Sequence, residues 1–228
     1  MKKITEQEAL NLLMEGIDLK DLNKPENKWI LHSIYVSLAA RRITEKLGLN
    51  DSYALKIGYL HDIGRKIDHN NHPIEGYKYL KRLGYDDIAK YSLTHSFYNN
   101  KITNTVGLGP KDPIKYEFIN NYLNSIPIDL FSNIVHLCDL FCLDTGFTTI
   151  ENRLLDLIER KGINDNFFSY YLSILDFKRW IELTTKANFY DLFPEIKKEE
   201  LDNQINDYRL IKDISCKNKQ KTKKHDII

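Results

Sequence analysis

The sequence predicts an all-α protein: a compact multi-helix fold with additional helices towards its C-terminal end. Three observations carry that expectation. Apolar residues recur at three- and four-residue intervals through most of the chain, no segment keeps the alternation of a strand, and helix start and stop residues punctuate the pattern.

Thr5-x-x-Glu8 is a capping box that opens a first helix carrying Ala9, Leu10, Leu12 and Leu13. A longer helix is expected over 28–47, stopping at Gly48. Asn50 or Asp51 caps a third, in which Ala54, Ile57 and Gly58 lead to His61 and Gly64 supplies the end. Pro73 suits the first turn of a fourth helix, closed at Gly84, and Asp86 or Asp87 caps a fifth that reaches about Phe97. The stretch 99–113 contains GLGP and several polar residues and reads as a long loop, a length that tends to be functional or mobile. Helices resume over about 114–123 and 130–143. A box at Thr148-x-x-Glu151 opens another that ends near Gly162, and two more fill 166–186 and 198–211. One domain over 1–214 is expected, with a core at about 28–145 and a helical extension over 146–214. The lysine-rich stretch 215–228 reads as a disordered, solubilising end.

Composition narrows the function. Apolar residues at 42% and charged residues at 29% are ordinary for a soluble globular protein, and no apolar run approaches the length of a membrane span. A net charge of +1 argues against a broad nucleic-acid footprint, which shows as a basic face, while leaving room for a small phosphorylated ligand. Three cysteines cannot all pair. Cys138 and Cys142 fall among Leu137, Leu140 and Phe141, so they read as small buried thiols, and the cytoplasm is the expected compartment.

Six of the seven histidines lie between residues 32 and 136. His32 shares a face with Val36, Ala39 and Ile43; His61 follows Ala54, Ile57 and Gly58; His95 follows Ile88, Tyr91 and Ser92. Taken singly, each reads equally well as a hydrogen-bonded core histidine. Asp139 is harder to place that way, because a buried carboxylate is costly unless paired or bound to a metal. Inward histidines and aspartates on separate helices relieve one another if they meet around a cation. Such a ligand set suits Mn, Fe, Co, Ni or Zn better than calcium.

At residues 60–66, LHDIGRK, the chain resembles the HD superfamily of metal-dependent phosphohydrolases, and within it the HDIG variety. The family order is a histidine on an early helix, the His-Asp pair, and an aspartate on a later helix; His32, His61-Asp62 and Asp139 in IVHLCD follow it. Members with a two-metal site add a histidine in a His-x-x-x-Gly stretch and another at the end of the next helix, which His72 in HPIEGYKYL and His95 in SLTHS match. The resemblance covers about 28–145. Arg65 stands where many members carry lysine, with Lys66 after it, and the motif of the cyclic-di-GMP phosphodiesterase branch is missing. His69 and His136 fit none of the six positions.

The resemblance implies an HD-domain fold and one or two divalent transition-metal ions held by His32, His61, Asp62, His72, His95 and Asp139. It implies that Asp62 bridges the metals and acts in catalysis. The implied reaction is hydrolysis of a phosphate ester or anhydride, with a nucleotide as the expected substrate, by water that the metal activates. Arg65 and Lys66 are the candidate phosphate-binding cations, and neither membrane nor nucleic acid is an expected partner. The alternative is a non-catalytic module of the same fold that senses metal or nucleotide; a purely structural reading makes the histidines core residues of a helical interaction domain.

Overall fold

The structure is a computed structural model and describes residues 2–196. Nine α-helices lie among them: α1 (Glu6–Met14), α2 (Lys28–Lys46), α3 (Asp51–Leu60), α4 (His72–Arg82), α5 (Asp86–Thr94), α6 (Pro113–Ser125), α7 (Leu130–Asp139), α8 (Ile150–Lys161) and α9 (Phe167–Thr185). No strand occurs among the described residues, only an isolated bridge between Cys142 and Phe147. The helix expected over 198–211 and the tail at 215–228 lie outside the described residues.

Local chemistry accounts for most of the starts. Thr5 and Glu8 form the reciprocal capping box, and Asn50 caps α3 by accepting from the Tyr53 N–H. Asp112 and Asp129 cap α6 and α7 in the same way. Two starts differ from expectation. Thr149, one residue later than the box suggested, caps α8 through the Asn152 N–H. Tyr85 precedes α5 without a side-chain cap, so Asp86 and Asp87 sit in the first turn, where their charge suits the helix N-terminus.

Helix α3 is the central element, packed against α1, α2, α5 and α7. Its contact with α2 is backbone-close: a Cβ on Gly58 would fall 2.3 Å from the Ser37 Cα. Around it Ile30, Val36, Ala39, Ile43, Ile57 and Leu60 are sealed from solvent. A second apolar cluster, with Ile74, Leu93, Phe97, Ile102, Ile119 and Leu123, joins α4, α5 and α6.

The HDIG segment departs from the expected helix. α3 ends at Leu60, with His61 as its cap; Asp62 takes φ −101°, ψ 10°, and Ile63–Lys66 forms a 3₁₀ turn. Gly64 therefore does not end α3 with a left-handed residue. Its role is contact: a Cβ there would sit 2.0 Å from the His72 carbonyl oxygen and 2.5 Å from the Gly76 nitrogen. α5 and α7 likewise stop earlier than expected, with His95 capping α5 and Asp139 as the last residue of α7. Three helices thus deliver their C-terminal ends to one place.

Candidate metal centre

The six residues singled out by sequence converge. The His32 Nε2 lies 2.8 Å from an Asp139 carboxylate oxygen. Asp62 Oδ1 has the His72 Nε2 at 3.0 Å and the His95 Nε2 at 3.6 Å; the His61 Nε2 is 3.7 Å from the other oxygen, Oδ2. Ring centroids of His32 and His61 are 5.4 Å apart, those of His61 and His95 4.9 Å, and those of His72 and His95 5.6 Å. Ligand-type atoms of His32, His61 and Asp139 lie within 4.8 Å of one another, as do those of His61, Asp62 and His95, so His61 is common to two overlapping clusters.

Helix ends fix the imidazole orientations. The last carbonyls of a helix lack an intrahelical donor. His61 Nδ1 donates to the Gly58 carbonyl at 2.7 Å, and His95 Nδ1 to the Ser92 carbonyl at 3.0 Å. His72 Nδ1 donates to the His69 carbonyl at 3.0 Å. With Nδ1 committed to these carbonyls, each ring turns its Nε2 towards the Asp62 carboxylate. His61 Nε2 and Asp62 Oδ1 are buried without a hydrogen-bond partner, the condition a metal ion would relieve. Nitrogen and carboxylate oxygen donors in this number fit a divalent metal.

Charge balance points the same way. Burial opposes ionisation of Asp62, but Arg65, His72 and His61 outweigh it and hold the carboxyl well below the usual carboxylate range. Arg65 Nε donates to Asp62 Oδ2 at 2.5 Å. Burial likewise opposes ionisation of Asp139, and the His32 hydrogen bond and charge overcome it. Asp139 keeps a side-chain exposure of 32%, which opens it to the cleft. Burial lowers His61 and lowers His95 far more, in the second case with His61 adding repulsion, so both favour the neutral, ligating form.

A cleft of about 320 Å³ opens on the cluster, lined by Arg65, His72, His95, Asp139, Arg160 and Lys161 among others. Arg65 thus faces the cleft as expected. Lys66 does not: its ammonium donates to the Leu12 carbonyl at 3.0 Å and pairs with Glu15 at 3.1 Å, which turns it to α1. Arg160 and Lys161, at the end of α8, were missed, because a cationic helix end reads as a solvated face. Crowding lowers the Lys161 ammonium, partly offset by Asp139, with Arg65 adding repulsion; the residue still keeps solvent exposure.

His136 also acquires a place. Its Nδ1 donates to the His95 carbonyl, which leaves Nε2 to accept from the Tyr170 hydroxyl at 2.6 Å. Both side chains are buried, and Tyr170 belongs to α9. A candidate ligand is therefore tied to a helix far along the chain. Inward spacing of His136 before Asp139 was the only sequence signal, and it did not reveal the partner. His69 is exposed at the cleft edge. Cys138 and Cys142 are buried free thiols, pushed up by burial.

The chain is 39% identical to ribonuclease Y of Mesoplasma florum over 67 residues, 28% of this chain and 13% of that relative. It is 43% identical to ribonuclease Y of Thermosipho melanesiensis over 56 residues, 23% of this chain and 11% of the relative. To the Fervidobacterium nodosum ribonuclease Y it is 37% identical over 78 residues, 32% of this chain and 15% of the relative. The matches therefore span well under a fifth of each curated relative. No solved structure matches. No helix among the described residues is long and apolar enough to cross a membrane. A profile of the HD domain matches residues 29–143, from the helix that carries His32 to just beyond Asp139. With that span and the histidine–aspartate cluster inside it, the chain belongs to the HD domain family, a family of divalent-metal-binding phosphohydrolases.

Proposed function

We propose that this protein hydrolyses a phosphate ester or anhydride of a nucleotide, using one or two divalent transition-metal ions. His32, His61, Asp62, His72, His95 and Asp139 would hold them. The observation that carries the reading is the convergence of the Nε2 atoms of His61, His72 and His95 on the buried carboxylate of Asp62. A divalent ion bound there supplies Lewis acidity for the phosphoryl oxygen and brings the pKa of water towards neutrality. Asp62 would position the attacking water and help to deprotonate it. Arg65, Arg160 and Lys161 stand around the cleft to balance the charge that develops on phosphate. The partial likeness to proteins named ribonuclease Y supports chemistry at a P–O bond. The net charge of +1 favours a small nucleotide over an RNA strand.

The test combines metal analysis with turnover. The purified chain, loaded with Mn, Fe or Co, is expected to release phosphate from a nucleotide panel or from p-nitrophenyl phosphate, and Asp62→Ala to lose both metal and turnover. A chain that binds nucleotides tightly but turns over nothing with any metal is the sensing module instead. Unchanged metal content in Asp62→Ala refutes the site.

A further inference from the structure

A second cavity of about 580 Å³ adjoins the metal cleft. Asn70, His72, Ser96, Thr105, Val106 and Lys161 line both, so the two spaces meet along these residues. The outer wall is the 105–112 part of the long loop, and the remainder comes from Asn70, Asn71, the start of α4, Ser96, Phe97, α6 and Lys161.

The wall is built in place. Asn164 Nδ2 donates to the carbonyls of Thr105 (3.2 Å) and Gly107 (2.9 Å), and Asn166 Nδ2 donates to Asn104 Oδ1 at 2.6 Å. Gly107, at φ +86°, lies so close to α8 that a Cβ would meet the Lys161 Cβ at 2.9 Å. On the far side the Lys115 ammonium donates to Asn71 Oδ1 at 2.7 Å, tying α6 to the residue before His72. The turn after α8 therefore fixes the loop and α8 supplies Lys161, although both lie outside the matched 29–143 span.

Size and lining limit the occupant. The volume falls within the ~300–1,000 Å³ of small-molecule sites. Ile74, Phe97, Val106 and Ile119 offer an apolar surface for one face of a ring, and Asn70, Asn71 and Lys115 offer polar groups for its edges. A sugar phosphate without an aromatic base would leave the apolar wall uncovered. A polynucleotide would need a groove that follows its backbone and a series of stacking surfaces.

Resting on the phosphohydrolase reading, we propose that this cavity is the leaving-group pocket. It takes a single nucleoside-sized group, Lys161 sits at the junction as the cation for the connecting phosphate, and Asn164 is the positioning residue that holds the wall. For a phosphomonoester, water forms the new bond to phosphorus and the bond from phosphorus to the nucleoside oxygen breaks. That oxygen takes a proton, and the products are a nucleoside in this cavity and inorganic phosphate in the metal cleft.

Calorimetry on the full chain, paired with steady-state turnover, tests this. Adenosine 5′-monophosphate is expected to bind at least about tenfold tighter than inorganic phosphate, a gain of ~1.4 kcal/mol. Lys161→Met and Asn164→Ala each raise its Kd by about tenfold. In Asn164→Ala the ratio of KM for the mononucleotide to KM for p-nitrophenyl phosphate also rises, because only the former needs the wall. Lys115→Ala, at the opposite side of the cavity, shifts the same ratio in the same direction. Equal affinity for phosphate and mononucleotide, an unchanged Kd in Asn164→Ala and Lys115→Ala, or tighter binding of a pentaribonucleotide overturns the proposal. Failure of the phosphohydrolase reading looks different: no substrate is turned over, p-nitrophenyl phosphate included, while calorimetric binding persists.

Discussion

Gly64→Ala tests how the HDIG turn is held. The added methyl would lie 2.0 Å from the His72 carbonyl oxygen, 2.5 Å from the Gly76 nitrogen and 2.8 Å from the His72 carbonyl carbon. All three are backbone atoms, so no side chain can swing aside. Relief requires the turn and the first turn of α4 to part, and that is the turn that begins with His72. Overpacking of this kind costs ~1–3 kcal/mol. For a domain of this size each kcal/mol moves Tm by ~2–4 °C, so the loss is about 2–12 °C. Separation would also pull the His72 Nε2 from its 3.0 Å approach to Asp62 Oδ1, so metal content should fall with Tm. Circular dichroism melts of metal-free protein read the first effect, and metal analysis after loading and desalting reads the second. A variant with wild-type Tm and full metal content would refute the claim that this glycine exists to bring the turn and α4 together.

Tyr170→Phe removes the donor to His136 Nε2 and leaves that buried nitrogen unpaired, a cost of ~1–3 kcal/mol in chemical denaturation. If the His136 link orients His95, metal affinity also falls by about 10–100-fold, whereas an unchanged affinity limits Tyr170 to packing. His72→Ala or His95→Ala is expected to lose one ion of a pair while the cluster of His32, His61 and Asp139 keeps the other; metal content unchanged from wild type in both variants rules out a pair. Lys66→Met should leave KM unchanged and lower Tm slightly, since its partners are Leu12 and Glu15; a raised KM would place it in the cleft.

Acid should destabilise the metal-free chain. His61, His95 and His136 are lowered in the fold, so the unfolded chain binds more protons as pH falls through the ordinary histidine value of 6.5. Asp62 and Asp139 are depressed below 3.8, so their contribution is present above that value and is lost as pH falls towards their folded values. Both contributions have the same sign, and Tm should drop from pH 7 to 5 and further below 4. A Tm that rises on acidification contradicts the assignment of neutral buried histidines.

Helical spacing made much of this architecture legible. It showed that His32, His61, His95 and Asp139 face inward, and the HDIG resemblance linked them with Asp62 and His72. Periodicity reports which side of a helix a residue occupies, but not which inward residues meet, so the bond from His136 to the His95 carbonyl stayed hidden. Gly64 looked like a helix stop because glycine serves both left-handed caps and close contacts, and only the neighbouring backbone distinguishes them. Lys66 and Lys161 show the opposite error on the surface. One cation beside the motif turns to α1, and another a hundred residues away reaches the cleft. Sequence proximity is a poor guide to where long side chains end.

The meeting of the ends of α3, α5 and α7 has an electrostatic consequence. Aligned peptide dipoles leave roughly half a negative charge at each helix C-terminus. Three such ends, added to Asp62 and Asp139, give the bare cleft an inward field that draws divalent cations and opposes phosphate. Arg65, paired with Asp62, offsets part of that field from within, and Arg160 and Lys161 offset it at the rim. Binding is therefore ordered by charge: cations fill the interior first, and only then does the cleft become attractive to an anionic substrate. Substrate affinity should accordingly be low without divalent ions and rise as they are titrated in, even where no turnover occurs.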